Sequence, residues 1–494
     1  MGILSALEPV QVFQYFEEIC GIPHGSSNTK AISDYCVNFA KEHGLRYLQD
    51  EYNNVMIWKD GTAGYEKSAP VMLQGHMDMV CEKEADCAID FTKDGLTLQL
   101  VDGVISAKGT TLGGDDGIAV AYALAILASE DIPHPPLEVV FTVDEEIGML
   151  GAAALDASPL QARTMLNLDS EEEGYLLVSC AGGITTTAHL PVAREQVSGE
   201  LMTVTVTGLQ GGHSGVEIDK GRANACQLLG RTLYLLRDKF RFQIRSIQGG
   251  QKDNAIPREA VVALVLIGKA GEGEEITGEQ LIFSFQESLA AIQKIYENEY
   301  QLTDPGVRLL CESEGSDTVD DGMTLVSTAG VIAMLVNLPG GIQKMSFAME
   351  GLVQTSLNLG ILKSEPEEVT ASFSVRSSVE TEKMELVARI RCLMEMLGGT
   401  VTNMGEYPAW EYRQDSPLRD LMIKVFREQY GYEPVVQALH AGVECGLFAG
   451  KLSGLDCVSF GPDMQDIHTP KESMNVDSVR RTWEYTLEIL KQLK

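Results

Sequence analysis

Five short segments of this chain each deliver one or two metal-type ligands at the end of an apolar run. They read His76-Met-Asp78, Gly-Gly-Asp115-Asp116-Gly, Asp144-Glu145-Glu146, Asn-Leu-Asp169-Ser-Glu171 and Asp466-Ile-His468-Thr-Pro. Together they supply two histidines and several carboxylates. That donor set suits a pair of zinc-like ions, and such a pair specifies hydrolysis by a metal-activated water. A lone His-x-Asp or a Glu-Glu pair carries little information. The joint occurrence of five such segments is far more specific.

Charge supports the grouping. Two divalent ions bring four positive charges; Asp115, Glu146, Asp169 and a bridging hydroxide would balance them, leaving the neutral centre that a partly buried site favours. His76 and His468 would complete the two shells with nitrogen. A carboxylate between two such ions holds them ~3.5–4 Å apart. Two acids remain. Asp78 is expected to accept a hydrogen bond from the His76 imidazole and fix its tautomer. Glu145 is expected to stay free of metal, take a proton from the attacking water and pass it to the leaving amine.

These groups need elements to carry them. Val55 to Trp58, Val71 to Leu73, Leu137 to Val143, Met165 to Leu168 and Cys457 to Phe460 read as strands. Pro9 to Ile19, Lys30 to Lys41, Asp420 to Tyr430 and Val476 to Leu493 read as helices, and Ile118 to Ala128, apolar all round, as a buried one. The alternation predicts an α/β domain: a mixed, mostly parallel sheet covered by helices, with ligands at the carboxyl ends of its strands. Between lie alternating strands at Met202 to Val206, Arg241 to Ile247, Ala260 to Ile267, Thr355 to Leu362 and Glu368 to Arg376. Helices are predicted at Ala223 to Leu236, Glu279 to Asn298 and Lys383 to Leu397. This is an inserted α+β lid, two-layered and doubled in pattern. For His468 to join His76, residues 1–183 and 399–494 must build one catalytic domain around an insert at 184–398. The glycines at 182–183 and 398–399 read as its hinges.

Composition narrows the class. The 494 residues carry Lys+Arg 38 against Asp+Glu 71, a net charge of −33. So acidic a surface disfavours nucleic-acid and membrane partners. The N-terminus has no signal-peptide pattern, and no apolar run is long enough to span a bilayer. The ten cysteines are scattered, with no Cys-x-x-Cys pair, and read as reduced residues of a cytoplasmic protein.

The segments His76-Met-Asp78-Met-Val, Gly109-Thr-Thr-Leu-Gly-Gly-Asp115-Asp116-Gly, Asp144-Glu145-Glu146-Ile-Gly, Leu166-Asn-Leu-Asp169-Ser-Glu and Asp466-Ile-His468-Thr-Pro resemble the di-zinc aminoacylase/carboxypeptidase metallopeptidase superfamily. More closely, they resemble its aminoacyl-histidine dipeptidase branch, and the likeness extends to Gly211-Gly-His213-Ser-Gly and His440-Ala-Gly-Val-Glu444-Cys-Gly. The resemblance implies hydrolysis of free dipeptides of broad composition, Xaa-His and β-alanyl-histidine among them. It implies that His76 and Asp169 hold one zinc, Glu146 and His468 the other, and that Asp115 bridges. It implies that His213 stabilises the oxyanion, and that Asn254 and Arg376 hold substrate, Arg376 by gripping the terminal carboxylate. His440 and Glu444 read rather as buried structural groups. Many relatives carry Asn where this chain has Asp116; the extra carboxylate must point away or be protonated.

The sequence leaves open which dipeptides are preferred and whether Zn²⁺, Mn²⁺ or Co²⁺ is the working ion. A homodimer is compatible with the resemblance, and the doubled insert equally allows one chain to do what a second subunit does elsewhere. The rivals are a deacylase or tripeptidase of the same superfamily and a non-catalytic binding relative.

Overall fold

Four strands buried on both faces, Leu137–Thr142, Val71–His76, Thr164–Asn167 and Asp456–Ser459, run parallel side by side at the centre of an eight-stranded sheet. Such strands read as unbroken apolar runs, which is why they were legible. Val55–Lys59 and Arg46–Gln49 on one side and Tyr175–Cys180 on the other pair antiparallel, and Val435–Leu439 lies beyond Tyr175–Cys180 at the edge. The sheet is therefore mixed, parallel at its centre and antiparallel outside. In register, His76 lies opposite Thr142, and Gln74 opposite Asn167. The segments that leave these strands at 144–146 and 169 thus start from one edge.

The computed structural model describes residues 2–271 and 278–494. It divides into Met1–Cys180, Trp410–Ala438 and Val443–Lys494 as one unit, and Ala181–Ala409 with Leu439–Gly442 as the other. In the first unit the helix Gly114–Ala128 is buried along nearly its whole length. Each fully buried Val, Leu or Ile there contributes about 1.5–3 kcal/mol. Within its regular turns Tyr122 donates its hydroxyl to Val479 O at 2.7 Å, so that phenol is not stranded by burial. Helical geometry fails at Asp115 (ψ 105°), and regular turns begin after Asp116.

The second unit is built on one antiparallel sheet, whose main path runs Arg308–Met323, Arg194–Thr207, Ala260–Lys269, Phe240–Gly249, Val353–Ser364, Glu368–Ser377, Gly182–Pro191, Thr400–Tyr407. The doubled pattern is visible as two four-strand halves. They join at the short pairing of Gln248 and Gly249 with Lys363 and Leu362. Side chains from the sheet and from helices Ala225–Arg237, Glu279–Glu299, Leu325–Asn337 and Glu380–Met396 form its core.

The sequence reading ends the insert at 398, whereas the structure keeps Thr400–Tyr407 with it. That strand pairs along Gly182–Pro191, and the pairing outweighs the glycine signal at 398–399. Gly182 and Gly183 lie inside a strand opposite Ser377 and Arg376. A Cβ at Gly183 would meet the Tyr407 ring at 2.4 Å, so close approach explains this glycine without a hinge. Among the described residues no helix is long and apolar enough to cross a membrane.

Candidate metal centre

His76 is the last residue of its strand and is buried. Its Nδ1 lies 2.9 Å from the main-chain oxygen of Asp78 and 3.5 Å from that residue's carboxylate. The carbonyl therefore takes the Nδ1 proton, which leaves Nε2 as the free, ligand-type nitrogen. The Asp78 carboxylate, expected to hold the imidazole, lies beside it but farther away than the Asp78 carbonyl. That carboxylate is turned mainly to backbone: it accepts the N–H groups of Glu145 (3.1 Å) and Glu146 (3.4 Å) and the Ser26 hydroxyl (2.8 Å). Asp78 thus organises the loop that carries both glutamates.

His76 Nε2 faces Asp115 Oδ1 at 3.2 Å and Asp169 Oδ1 at 3.6 Å. The other oxygen of Asp115 faces His468 Nε2 at 3.1 Å, and His468 Nε2 also lies 3.0 Å from Glu146 Oε2. One carboxylate therefore presents an oxygen to each of two half-sites. The five predicted ligands, His76, Asp115, Glu146, Asp169 and His468, converge. Two overlapping trios, His76–Asp115–Glu146 and His76–Asp116–Asp169, each bring one ligand atom per residue within 4.8 Å of one another. Buried Glu146 Oε1 and Asp116 Oδ1 have no hydrogen-bond partner. Orphaned carboxylate oxygens in a cysteine-free set of two histidines and several acids fit hard-to-borderline divalent cations.

The electrostatics follow from crowding acids out of water. Burial pushes the Glu145 carboxyl up to about 9; His76 opposes the rise, and Asp169, Glu444 and Glu146 add to it. Burial likewise raises Asp169 to about 6. Burial opposes protonation of His76, but its hydrogen bonds to Asp115, Asp169 and Asp78 outweigh that and raise it well above the usual range. Hydrogen bonds to Asp115 and Glu146 carry His468 to about 10. Burial also resists ionisation of Asp115, yet its two histidine partners hold it below the usual carboxylate range. Asp116 is the extra acid. One oxygen accepts the main-chain N–H of His76 at 3.1 Å, while burial, with Asp169 beside it, raises its pKa strongly and favours the neutral form.

His468 sits on the loop of a small hairpin, Met464–Gln465 with Ser473–Asn475, within a four-stranded sheet completed by Val104–Ala107 and Leu98–Val101. Sequence reasoning missed this sheet, since strands of two to four residues leave almost no periodic signal. Asp144, Asp466 and His468 all adopt positive φ, a strained conformation that marks the ligand loops. Of two further buried glutamates, Glu444 is the structural group that the sequence suggested, and Glu472 escaped notice. Glu444 accepts from Thr142 Oγ1 at 2.6 Å and from Gln74, which in turn is held by Asn167. Glu472 accepts the backbone N–H groups of Leu112 to Asp115.

The other predicted residues lie in the second unit. His213 and Asn254 are on neighbouring chain segments: His213 pairs with Ala255, and Ser214 N donates to Asn254 O at 2.9 Å. His213 Nδ1 accepts the N–H groups of Gly215 and Val216 at 3.1 and 3.2 Å, so its proton resides on Nε2. Asn254 is exposed, and Asn358 braces its segment through Asp253 O and Ala255 O. Arg376 is buried, donates to the Tyr407 hydroxyl at 2.8 Å, and keeps a buried Nε without a partner. His440 is hydrogen-bonded to Ser356 at 2.7 Å; burial, then the charge of Arg376 and the nearby His213, lower its pKa to about 3.

Known proteins resemble this chain along most of its length. The family model described as peptidase family M20/M25/M40 matches residues 72–492. The cytosol non-specific dipeptidase of Escherichia coli K12 is 36% identical over 495 residues, covering 100% of this chain and 99% of that protein. The crystal structure of the aminoacylhistidine dipeptidase from Vibrio alginolyticus superposes with a TM-score of 0.90 at 34% identity, over 99% of this chain and 98% of that one. Aminopeptidase PepT from Bacillus cereus has a TM-score of 0.56 at 15% identity over 99% of both chains, a likeness of fold.

Proposed function

The chain belongs to peptidase family M20/M25/M40, and on that footing we propose that it is a metal-dependent dipeptidase hydrolysing the peptide bond of free dipeptides. The observation that carries this reading is the pair of Asp115 oxygens, one at His76 and one at His468. His76 and Asp169 would hold one divalent cation, Glu146 and His468 a second, with Asp115 shared; Zn²⁺ suits the donor set best, and Mn²⁺ or Co²⁺ would also fit. When bound, such a pair supplies Lewis-acid polarisation and lowers the pKa of water.

The chain's own groups supply the rest. Glu145, on the loop held by Asp78, takes up the proton of the attacking water and returns it to the leaving amine. The high proton affinity that burial gives it suits the accepting step. His213, with its proton on Nε2, is equipped to donate to the developing oxyanion. Arg376, buried with Nε unsatisfied, is equipped to pair with the substrate's terminal carboxylate, and Asn254 to position the peptide. The two relatives at 36% and 34% identity carry dipeptidase names, one of them cytosol and the other aminoacylhistidine, which supports free dipeptides, including Xaa-His, as substrates. The ten cysteines, each a free thiol, suit a reducing cytoplasm.

A peptide panel tests the substrate class. Free dipeptides, β-alanyl-histidine among them, should be cleaved, while N-acetylated dipeptides, dipeptide amides and tripeptides should be poor substrates. Preference for the N-acetylated compounds would make the protein a deacylase, preference for tripeptides a tripeptidase, and cleavage of none a binding protein.

A further inference from the structure

The loop that presents Asp115 has no cap of its own. Gly113, at φ 67°, precedes the helix without a side-chain bond to it, and the next residues are buried. Their amide hydrogens would be stranded away from water. Glu472, buried at 3% exposure, answers them from 357 to 360 positions away. Its Oε2 accepts from Leu112 N at 2.7 Å and Gly113 N at 3.2 Å; its Oε1 accepts from Gly114 N at 2.8 Å and Asp115 N at 3.4 Å. The seat is close-fitting: a Cβ at Gly114 would lie 3.4 Å from Oε1 and 3.1 Å from Met464 Sδ. A carboxylate here also meets the positive end of the helix dipole.

Glu472 belongs to the same seven-residue hairpin loop as His468, between Gln465 and Ser473, and its own N–H is tied to Thr469 O at 3.1 Å. One short segment thus carries a candidate ligand and, four residues on, the clamp on the loop of the shared carboxylate. We propose that Glu472 is a positioning residue that sets the spacing of Asp115 and His468, and through it the affinity of the half-site formed by Asp115, Glu146 and His468. This rests on the two-ion reading above. Supporting groups of this kind typically govern metal affinity by about 10- to 100-fold.

The test is calorimetric titration of chelator-stripped protein with Zn²⁺ and, separately, Co²⁺, for wild type, Glu472→Gln, Glu472→Asp and Glu472→Ala. Melting curves and circular dichroism of the stripped proteins report the fold alone. Wild type should bind two ions. In Glu472→Gln, where an NH₂ replaces one acceptor, one of the two binding events should weaken by about 10- to 100-fold. The other should change less, and Glu472→Asp should fall between wild type and Gln. Glu472→Gln keeps the shape of the side chain, so the comparison stands even if the Ala variant does not fold. A lowered melting temperature with both binding events unchanged would make Glu472 a structural cap only and overturn the proposal. Equal weakening of both events would overturn it as well. A wild-type protein that binds no pair of ions would remove the two-ion centre itself.

Discussion

Asp115 and His468 stand 353 positions apart in the chain and meet at 3.1 Å, Oδ2 to Nε2. The first lies at the head of a buried helix, the second on the loop of a small hairpin. The second oxygen of Asp115 turns to His76 at 3.2 Å. Segments distant in sequence therefore complete one cluster of acids and imidazoles.

Glu145→Gln should keep both ions and lose most turnover. The Gln side chain has nearly the same shape but cannot take a proton, and a positioned general base is worth about 10²- to 10⁴-fold. Metal content by atomic emission together with kcat checks this. Loss of an ion in this variant would make Glu145 a ligand.

Arg376→Ala should leave metal content unchanged and weaken dipeptide binding. A hydrogen bond to a charged group contributes about 1.5–3 kcal/mol, so kcat/KM should fall about 10- to 100-fold, mainly through KM. Steady-state kinetics on several free dipeptides measure it. Unchanged constants for all of them would remove Arg376 from substrate binding.

His213→Ala should instead lower kcat. Its Nδ1 is occupied by two backbone donors, so its remaining proton is on Nε2, and losing one oxyanion donor costs about 10²- to 10³-fold. A variant that altered KM alone would place His213 in ground-state binding.

The stripped protein should lose thermal stability as pH rises. Glu145 is raised to about 9, Glu444 to about 7 and Asp169 to about 6, each chiefly by burial. A carboxyl raised in the folded chain holds a proton that the unfolded chain has released, so its contribution fades as pH climbs from about 4.5 toward the folded value. His468, raised to about 10 by Asp115 and Glu146, contributes fully below about 6.5 and loses that contribution on the way up. The signs agree. The depressed Asp115 has the opposite sign, but its contribution is lost only in strong acid. Melting temperature should therefore fall between about pH 6 and about pH 9 in chelator, and added cations, which bind the deprotonated ligands, should flatten the decline. A melting temperature that rises with pH in chelator would contradict this.

Much of the centre was legible because parallel strands announce themselves as apolar runs: His76 ends one, and Glu145, Glu146 and Asp169 lie just past the ends of others. The Asp78 carbonyl as the nearer partner of His76 Nδ1 was not legible, since a side chain shows in sequence and a backbone carbonyl does not. Glu472 went unassigned because its partners are backbone amides, whereas Glu444, read as a buried structural group, is one. The strand Arg308–Met323 escaped for another reason. Its acidic second half lacks apolar alternation, as suits an exposed edge strand guarded by charge.

The most direct measurement is hydrolysis of a free dipeptide by chelator-stripped protein as Zn²⁺ is added, run beside Asp115→Asn and His468→Ala. The account predicts that wild-type activity returns with about two equivalents of metal and that neither variant recovers it. Full activity in the stripped protein, or in Asp115→Asn with the same metal dependence as wild type, would contradict it.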